Sequence, residues 1–312
     1  MDKELIAGVD EVGRGCLAGP VISASVILDP NKKIDGLKDS KLLSIKRREF
    51  LFKKIKTNAF SIGIGSCSSK IIDKINIREA TFSSMRFAIK NLSIKPKKIL
   101  VDGEALEKEK IPNKGIVKGD TLIDCIMAAS IIAKVTRDRL MLEYSHVFPE
   151  YDFKNNKGYG TKNHLKALKK YKSTPIHRNS FKPVKENICT LEWIIKNNKI
   201  NWLAKKLAGL FLLEIKHNIL AIDYLDLNTN TKIDIVSISK KKIIFTEVFS
   251  THKELIKTEK INFRNTNQLI NDNIFKEIKD KFFPKFEYRI DRIYIQIKNG
   301  PPEINRKKDV YN

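Results

Sequence analysis

Hydrophobic and polar positions alternate along this chain in a way that predicts its elements. An apolar run, Leu5 to Val9, stops at two adjacent carboxylates, Asp10 and Glu11. The glycine-rich turn Gly13-Arg14-Gly15 then leads into a second apolar run, Val21 to Leu28. Two strands around a turn are predicted. A polar loop over 29–41 precedes a charged helix over about 44–56, and Ala59 to Ser66 alternates with the period of a third strand. Ile71 to Leu92 has helical spacing. Lys98 to Val101 is a short apolar run ending at Asp102, and Ile111 to Val117 is another, followed by Lys118-Gly119-Asp120. Thr121 to Glu143 carries the strongest helical pattern, with Ile123, Ile126, Met127, Ser130, Ile131 and Lys134 continuing into Arg137 and Leu140. Residues 151–182 are polar and contain glycine. Acids recur at strand ends, and a mixed sheet with helices against it fits this order.

The composition shifts near residues 187–200, which divides the chain at about residue 190 into 1–190 and 191–312. The second region predicts a helix from Trp202 to Leu213, strands over Ile219–Leu227, Lys232–Ser239 and Lys242–Phe249, helices over 254–260 and 269–282, and an alternating run from Tyr288 to Lys298. The tail 300–312 is expected to be disordered.

Charge narrows the function. The chain carries 60 basic and 36 acidic residues, a net of +24, which favours a polyanionic partner, although a lysine-, isoleucine- and asparagine-rich composition can also produce it. Residues 1–190 hold a net of +16 and residues 191–312 a net of +8, so the more basic part also contains the acid cluster. Cys16, Cys67, Cys125 and Cys189 are far apart and form no CxxC pair, which predicts reduced thiols rather than zinc or disulfides. There is no apolar signal core at the N-terminus and no apolar run of membrane-spanning length, so a cytoplasmic protein without membrane association is expected.

Asp10, Glu11, Asp102 and Asp120 suit Mg²⁺, which prefers oxygen ligands and is held by a few carboxylates plus substrate phosphate. Two such ions about 3.5–4 Å apart activate water and stabilise a leaving oxyanion. Each acid also has a plainer reading: Asp120 as the N-cap of a helix, Asp102 as a turn residue before Gly103, and Asp10 with Glu11 as strand neighbours that point to opposite faces.

GVDEVGRG at 8–15, DSKLLS at 39–44, VDG at 101–103, KGD at 118–120, AASIIAKVTRDRLM at 128–141, KGYGT at 157–161 and TPIHRNSF at 174–181 occur in the order and spacing of the ribonuclease HII family. The first region resembles that family over roughly residues 4–185. The resemblance implies an α/β, ribonuclease H-like fold with a mixed five-stranded sheet and flanking helices. It implies a metal-dependent endoribonuclease using Mg²⁺ or Mn²⁺ in a two-metal mechanism. The substrate would be the RNA strand of an RNA–DNA hybrid, or a single ribonucleotide embedded in duplex DNA, leaving 3′-OH and 5′-phosphate ends. It makes Asp10, Glu11, Asp102 and Asp120 the metal ligands, and Gly13, Arg14, Gly15 and Tyr159 the group that senses the 2′-OH. Lys41, Lys134, Arg137, Lys162 and Arg178 are candidate phosphate contacts, and equally a solvated basic face. His164 and His177 are candidate general bases, but with acids and a metal available His177 reads as a structural or phosphate contact. Leu42 departs from a lysine of the family pattern, and Asp124 is an extra acid one helical turn past Asp120.

Residues 232–252 resemble the YraN-type family, related to restriction endonucleases, over about 197–298. The resemblance implies a second α/β, restriction-endonuclease-like domain with Asp234 and Glu247 as ligands. The lysine of that pattern is Phe249 here, an acid before Ile233-Asp234 is replaced by Lys232, and the acid of the first helix is Asn201. Such a domain is expected to bind DNA or stabilise the chain, with a DNA endonuclease as the alternative. A nucleic-acid-binding module without catalysis is the alternative for the first region. Protein partners are not legible in the sequence.

Overall fold

In the computed structural model, which describes residues 5–226, 231–252, 279–280 and 283–308, two compact units form. One comprises residues 1–142 and 152–188, and the other residues 143–151 and 189–312.

The first unit is built on strands β1 (Ile6–Val12), β2 (Val21–Ile27) and β3 (Ser61–Cys67), with helices α1 (Ile45–Asn58), α2 (Ser69–Ile75) and α3 (Ile77–Lys90). Strands β4 (Lys98–Asp102) and β5 (Asn113–Ile116) and helices α4 (Gly119–Leu122) and α5 (Asp124–Val147) follow, then α6 (Phe153–Asn156), α7 (Lys162–Tyr171) and α8 (Lys182–Lys185). The sheet order is β3-β2-β1-β4-β5, antiparallel from β3 to β1 and parallel from β1 to β5. One face packs on α1 and α5 through Ala24, Val26, Leu51, Ile55, Ile131 and Ile132. The other packs Val9, Ile99 and Val101 against Phe82, Met85 and Ile89 of α3. Gly8 lets α5 approach the sheet at its start: a Cβ there would lie 2.2 Å from the carbonyl carbon of Cys125. The helix is thereby held against β1 beside the acids.

The helical run 71–92 is two helices, not one. Asn76 breaks it at φ +66 and its side chain accepts the Glu79 N–H (3.1 Å), restarting the helix as α3. The run from Thr121 is also divided, because Ile123 is extended and α5 begins at Asp124. The polar segment 151–182 contains α7, whose N-terminus is capped by Thr161.

The second unit contains α9 (Leu191–Lys196), α10 (Ile200–Glu214), β6 (Asn218–Asp226), β7 (Thr231–Ser239), β8 (Lys242–Thr251), β9 (Glu287–Gln296) and β10 (Glu303–Lys307). Its sheet order is β10-β9-β8-β7-β6, with β8 and β9 parallel and the other pairs antiparallel. The tail expected to be disordered is ordered through β10. Pairing with the edge of β9 satisfies its backbone, and Arg306 reaches the buried Asp291. The helices expected over 254–260 and 269–282 lie outside the described residues, apart from Lys279 and Asp280, which are helical.

Acids of the second unit are engaged by cations. Lys205 of α10, 4% exposed, places its ammonium 2.5 Å from Asp223 and 2.7 Å from Asp234. Asp234 also accepts the Val248 N–H (2.8 Å), while Glu247 pairs with Arg292 (2.7 Å). Lys205→Met leaves Asp223 and Asp234 without this cation. It is expected to lower the stability of the second unit by about 3 kcal/mol, read as a lower denaturation midpoint.

Among the described residues, no helix is long and apolar enough to cross a membrane. All four cysteines are free thiols, three of them buried.

Candidate active site

The parallel register Val9↔Val101 sets Asp10 and Asp102 side by side at the carboxyl ends of neighbouring strands. β5 runs parallel to β4, and its exit turn through Lys118 (φ +55) brings Asp120 to the same end. Carboxylate oxygens of Asp10, Asp102 and Asp120 lie within 4.8 Å of one another. The carboxyl ends of parallel strands are where α/β sheets place their sites.

Burial raises the pKa of Asp10 well above the ordinary carboxylate value, and the charges of Glu11 and Asp102 add to it. Burial likewise raises Asp102 and Glu11. Three oxygen donors in a desolvated, mutually repelling group fit a hard divalent cation, which removes the repulsion and matches the donor set. Glu11 lies outside the 4.8 Å group and turns toward Arg14 (3.4 Å). Its charge still acts on both Asp10 and Asp102.

A hydroxyl chain supports Asp10. Ser130 of α5 lies near its carboxylate and works to lower the pKa that burial raises, and Ser40 lies 2.9 Å from the Ser130 hydroxyl. Asp39 caps the next turn by accepting the Lys41 N–H (2.9 Å), and the Lys41 ammonium stands 3.5 Å from Asp120. Burial works against the Lys41 charge, but Asp39, Asp120 and Asp10 together raise its pKa. Sequence reading missed the role of Ser130; its signal is a hydroxyl inside the apolar AASIIA face of α5.

The turn after Glu11 is held from beneath. Gly13 adopts φ +93, and a Cβ there would lie 2.2 Å from the Arg137 Nε. Arg137 and Arg178 are both fully buried. Arg178 donates to the carbonyls of Gly13 (2.6 Å), Arg14 (2.6 Å) and Gly19 (3.0 and 3.1 Å). Arg137 donates to those of Ala18, Pro20 and Lys157. The expectation that Arg178 and Arg137 contact phosphate is therefore corrected: both guanidinium groups are buried and spent on backbone carbonyls of the loops around the turn. Burial brings the Arg178 pKa down to about 10. Lys134 is paired with Asp138 (2.8 Å), whereas Lys162 is exposed. Asp124 is exposed and stands outside the acid group, and Leu42 is 75% exposed.

Tyr159 reaches this turn from a segment far along the chain. The Leu17 N–H donates to the Gly158 carbonyl (2.8 Å), and Tyr159 is 42% exposed. Behind it, the Thr174 N–H donates to His177 Nδ1 (3.0 Å), His177 Nε2 lies 2.9 Å from His164 Nε2, and His164 Nδ1 lies 2.9 Å from the Tyr159 carbonyl. Since Nδ1 of His177 accepts, its proton sits on Nε2 and passes toward His164, whose own proton then faces the carbonyl. Both rings are neutral, with pKa values lowered by burial, further for His177 by His164.

A lowered histidine pKa makes the contribution of this pair complete above the usual value of about 6.5, and lost as pH falls toward the folded-state value. Protection of the Leu17 amide against hydrogen exchange, corrected for the intrinsic rate, is expected to fall between about pH 7 and 5. Protection at Val9 in the sheet centre should not change. Equal behaviour at both amides would show that the histidine pair does not hold the loop.

A mixed α/β sheet with three carboxylates at its strand ends defines a ribonuclease H-like, metal-dependent nuclease. The chain belongs to the ribonuclease HII family, whose model matches residues 7–184. It is similar to ribonuclease HII of Enterococcus faecalis, 52% identical over 184 residues, covering 59% of this chain and 72% of that one. Ribonuclease HII of Coxiella burnetii is 52% identical over 182 residues, covering 58% and 90%. Among solved structures, ribonuclease H2 from Pyrococcus horikoshii OT3 superposes with a TM-score of 0.51 at 30% identity, covering 58% of this chain and 95% of that one. The protein is an endoribonuclease acting on RNA–DNA hybrids.

Proposed function

We propose that Asp10, Glu11, Asp102 and Asp120 hold divalent cations, Mg²⁺ or Mn²⁺, and that the enzyme incises at single ribonucleotides in duplex DNA as well as in longer hybrids. The convergence of three carboxylates beside the Gly13-Arg14-Gly15 turn carries this reading. Divalent ions held by Asp10, Glu11, Asp102 and Asp120 would activate a water and stabilise the leaving 3′ oxygen, which would give 3′-OH and 5′-phosphate ends. Asp10 is oriented for this by the Glu11 N–H, which donates to its carboxylate (2.6 Å). Lys41, beside Asp120 and largely in solvent, meets the scissile phosphate.

The turn reads the sugar. Around Gly15 a Cβ would find nothing within 4 Å, so a ribose can approach the backbone closely. Only a ribose offers the 2′-OH as a partner. The Tyr159 ring stacks on the neighbouring sugar, and Arg178 acts as a positioning residue that presets the turn. The free thiols are in keeping with a cytoplasmic setting.

A duplex with one ribonucleotide should be cut in Mg²⁺ or Mn²⁺, and an all-DNA duplex left intact; failure to cut in either metal would sink the proposal. Tyr159→Ala should lower incision by roughly a hundredfold and leave duplex affinity almost unchanged. Equal losses in both would assign Tyr159 to general binding.

For residues 191–312 we infer a nuclease-like fold without activity. Asp234 and Glu247, the acids that the sequence pattern singles out, are neutralised by Lys205 and Arg292. The full chain carrying Asp10→Asn should cleave neither duplex nor single-stranded DNA in Mg²⁺. Cleavage abolished by a further Glu247→Ala would overturn this.

A further inference from the structure

The second unit contains a cavity of about 1010 Å³ at the edge where β8 and β9 begin. Its walls are Phe211 of α10, Ile215 just past its end, the β7–β8 turn, and the segments entering β9 and leaving β10. Seven cations line it, and Glu287 is the single carboxylate lining it among the described residues. Glu287 is paired with Lys242 (2.9 Å).

The floor is a fixed array. Asp291, fully buried, accepts from Arg289 Nε (2.9 Å) and from Arg306 Nε (2.9 Å), so one carboxylate is shared by two guanidinium groups. His217 Nε2 accepts from Arg306 (3.2 Å), and its other nitrogen meets the Ser237 hydroxyl (3.1 Å). Burial, then Arg306 and Arg289, bring the His217 pKa down to about 4, so the ring holds Arg306 without adding charge. Above this floor, Lys240, Lys241, Lys285 and Lys308 form an exposed rim.

The excess is not the background of a lysine-rich chain. Residues 191–312 carry a net charge of only +8. With Glu287 and Asp291 both counted, five of those charges collect at this one cavity. Such a concentration of positive charge attracts anions. Preset arginines with mobile lysines around them match phosphate oxygens spaced along a strand better than one small ion. The surface is concave, which suits a strand backbone rather than a lipid sheet.

We propose that this cavity binds the phosphodiester backbone of duplex nucleic acid, as a contact additional to the acid site and its turn. The test uses the full chain with Lys240→Glu, Lys241→Glu and Lys285→Glu combined. A second triple variant, Lys196→Glu, Lys232→Glu and Lys298→Glu, makes the same charge change away from the cavity. The probe is an all-DNA duplex, titrated by fluorescence anisotropy at several salt concentrations. The cavity variant is expected to bind at least roughly tenfold more weakly, with the slope of log K against log salt shallower by about 3. The control variant should lose much less. Unchanged affinity and slope, or equal losses in both variants, would overturn the proposal. So would a loss confined to vesicles of anionic phospholipid. Incision of a duplex with one ribonucleotide at saturating concentration should be unaffected in the cavity variant. If the wild type itself does not incise, the metal-site proposal fails, and the all-DNA titration still decides this one.

Discussion

Asp10→Asn should abolish incision and at the same time raise the thermal stability of the metal-free protein. The carboxylate is 5% exposed and shares its corner with Asp102 and Asp120. Its pKa is raised, so the folded state holds that proton more tightly than the unfolded chain does. The cost of ionising it therefore grows as pH rises from the ordinary carboxylate range through the raised value, and is fully present above that value. Asparagine carries no charge and its oxygen still accepts from the Glu11 N–H. In EDTA the midpoint gap between variant and wild type should widen with rising pH, and added Mg²⁺ should stabilise the wild type far more than the variant. Incision should fall by at least roughly a hundredfold. A variant that keeps a tenth of wild-type activity, or gains no stability without metal, would show that Asp10 is not a metal ligand in a strained acid group.

Arg178→Met should cost the first unit about 3–5 kcal/mol and lose most of its ribonucleotide selectivity. The substitution fills a similar volume but removes the guanidinium donors from the Gly13, Arg14 and Gly19 carbonyls. Lysine in its place has one charged centre where three carbonyls need a planar fork, so Arg178→Lys should recover little. The measurements are the denaturation midpoint and the ratio of incision at a ribonucleotide to incision at deoxyribonucleotides. A stable variant that fails only in duplex binding would return Arg178 to the role of a phosphate contact.

Much of the fold is legible in the chain because periodicity is a local property. The strands from Leu5 to Leu28, the helix of 44–56 and the strand-like runs of the second region need only the spacing of apolar residues. Failures come where one residue overrides the pattern. Asn76 splits a helical run because its side chain caps a new helix. β10 has one apolar residue, Ile304, and forms because the edge of β9 offers backbone partners.

The sequence by itself determined the family, through seven short blocks in fixed order, and with it the four acids proposed here as metal ligands. It could not bring the acids together. The register Val9↔Val101 and the turn at Lys118 do that, linking residues about a hundred positions apart. Nor could it tell a solvent-facing cation from a buried one. Arg137, Arg178, Lys205 and Arg306 look like any other basic residue in a chain of +24, and only the packing around each decides its partners. The physical reason is common to all of these cases. Hydrophobic periodicity acts between residues a few positions apart, whereas desolvation and charge pairing depend on neighbours that only the folded chain supplies.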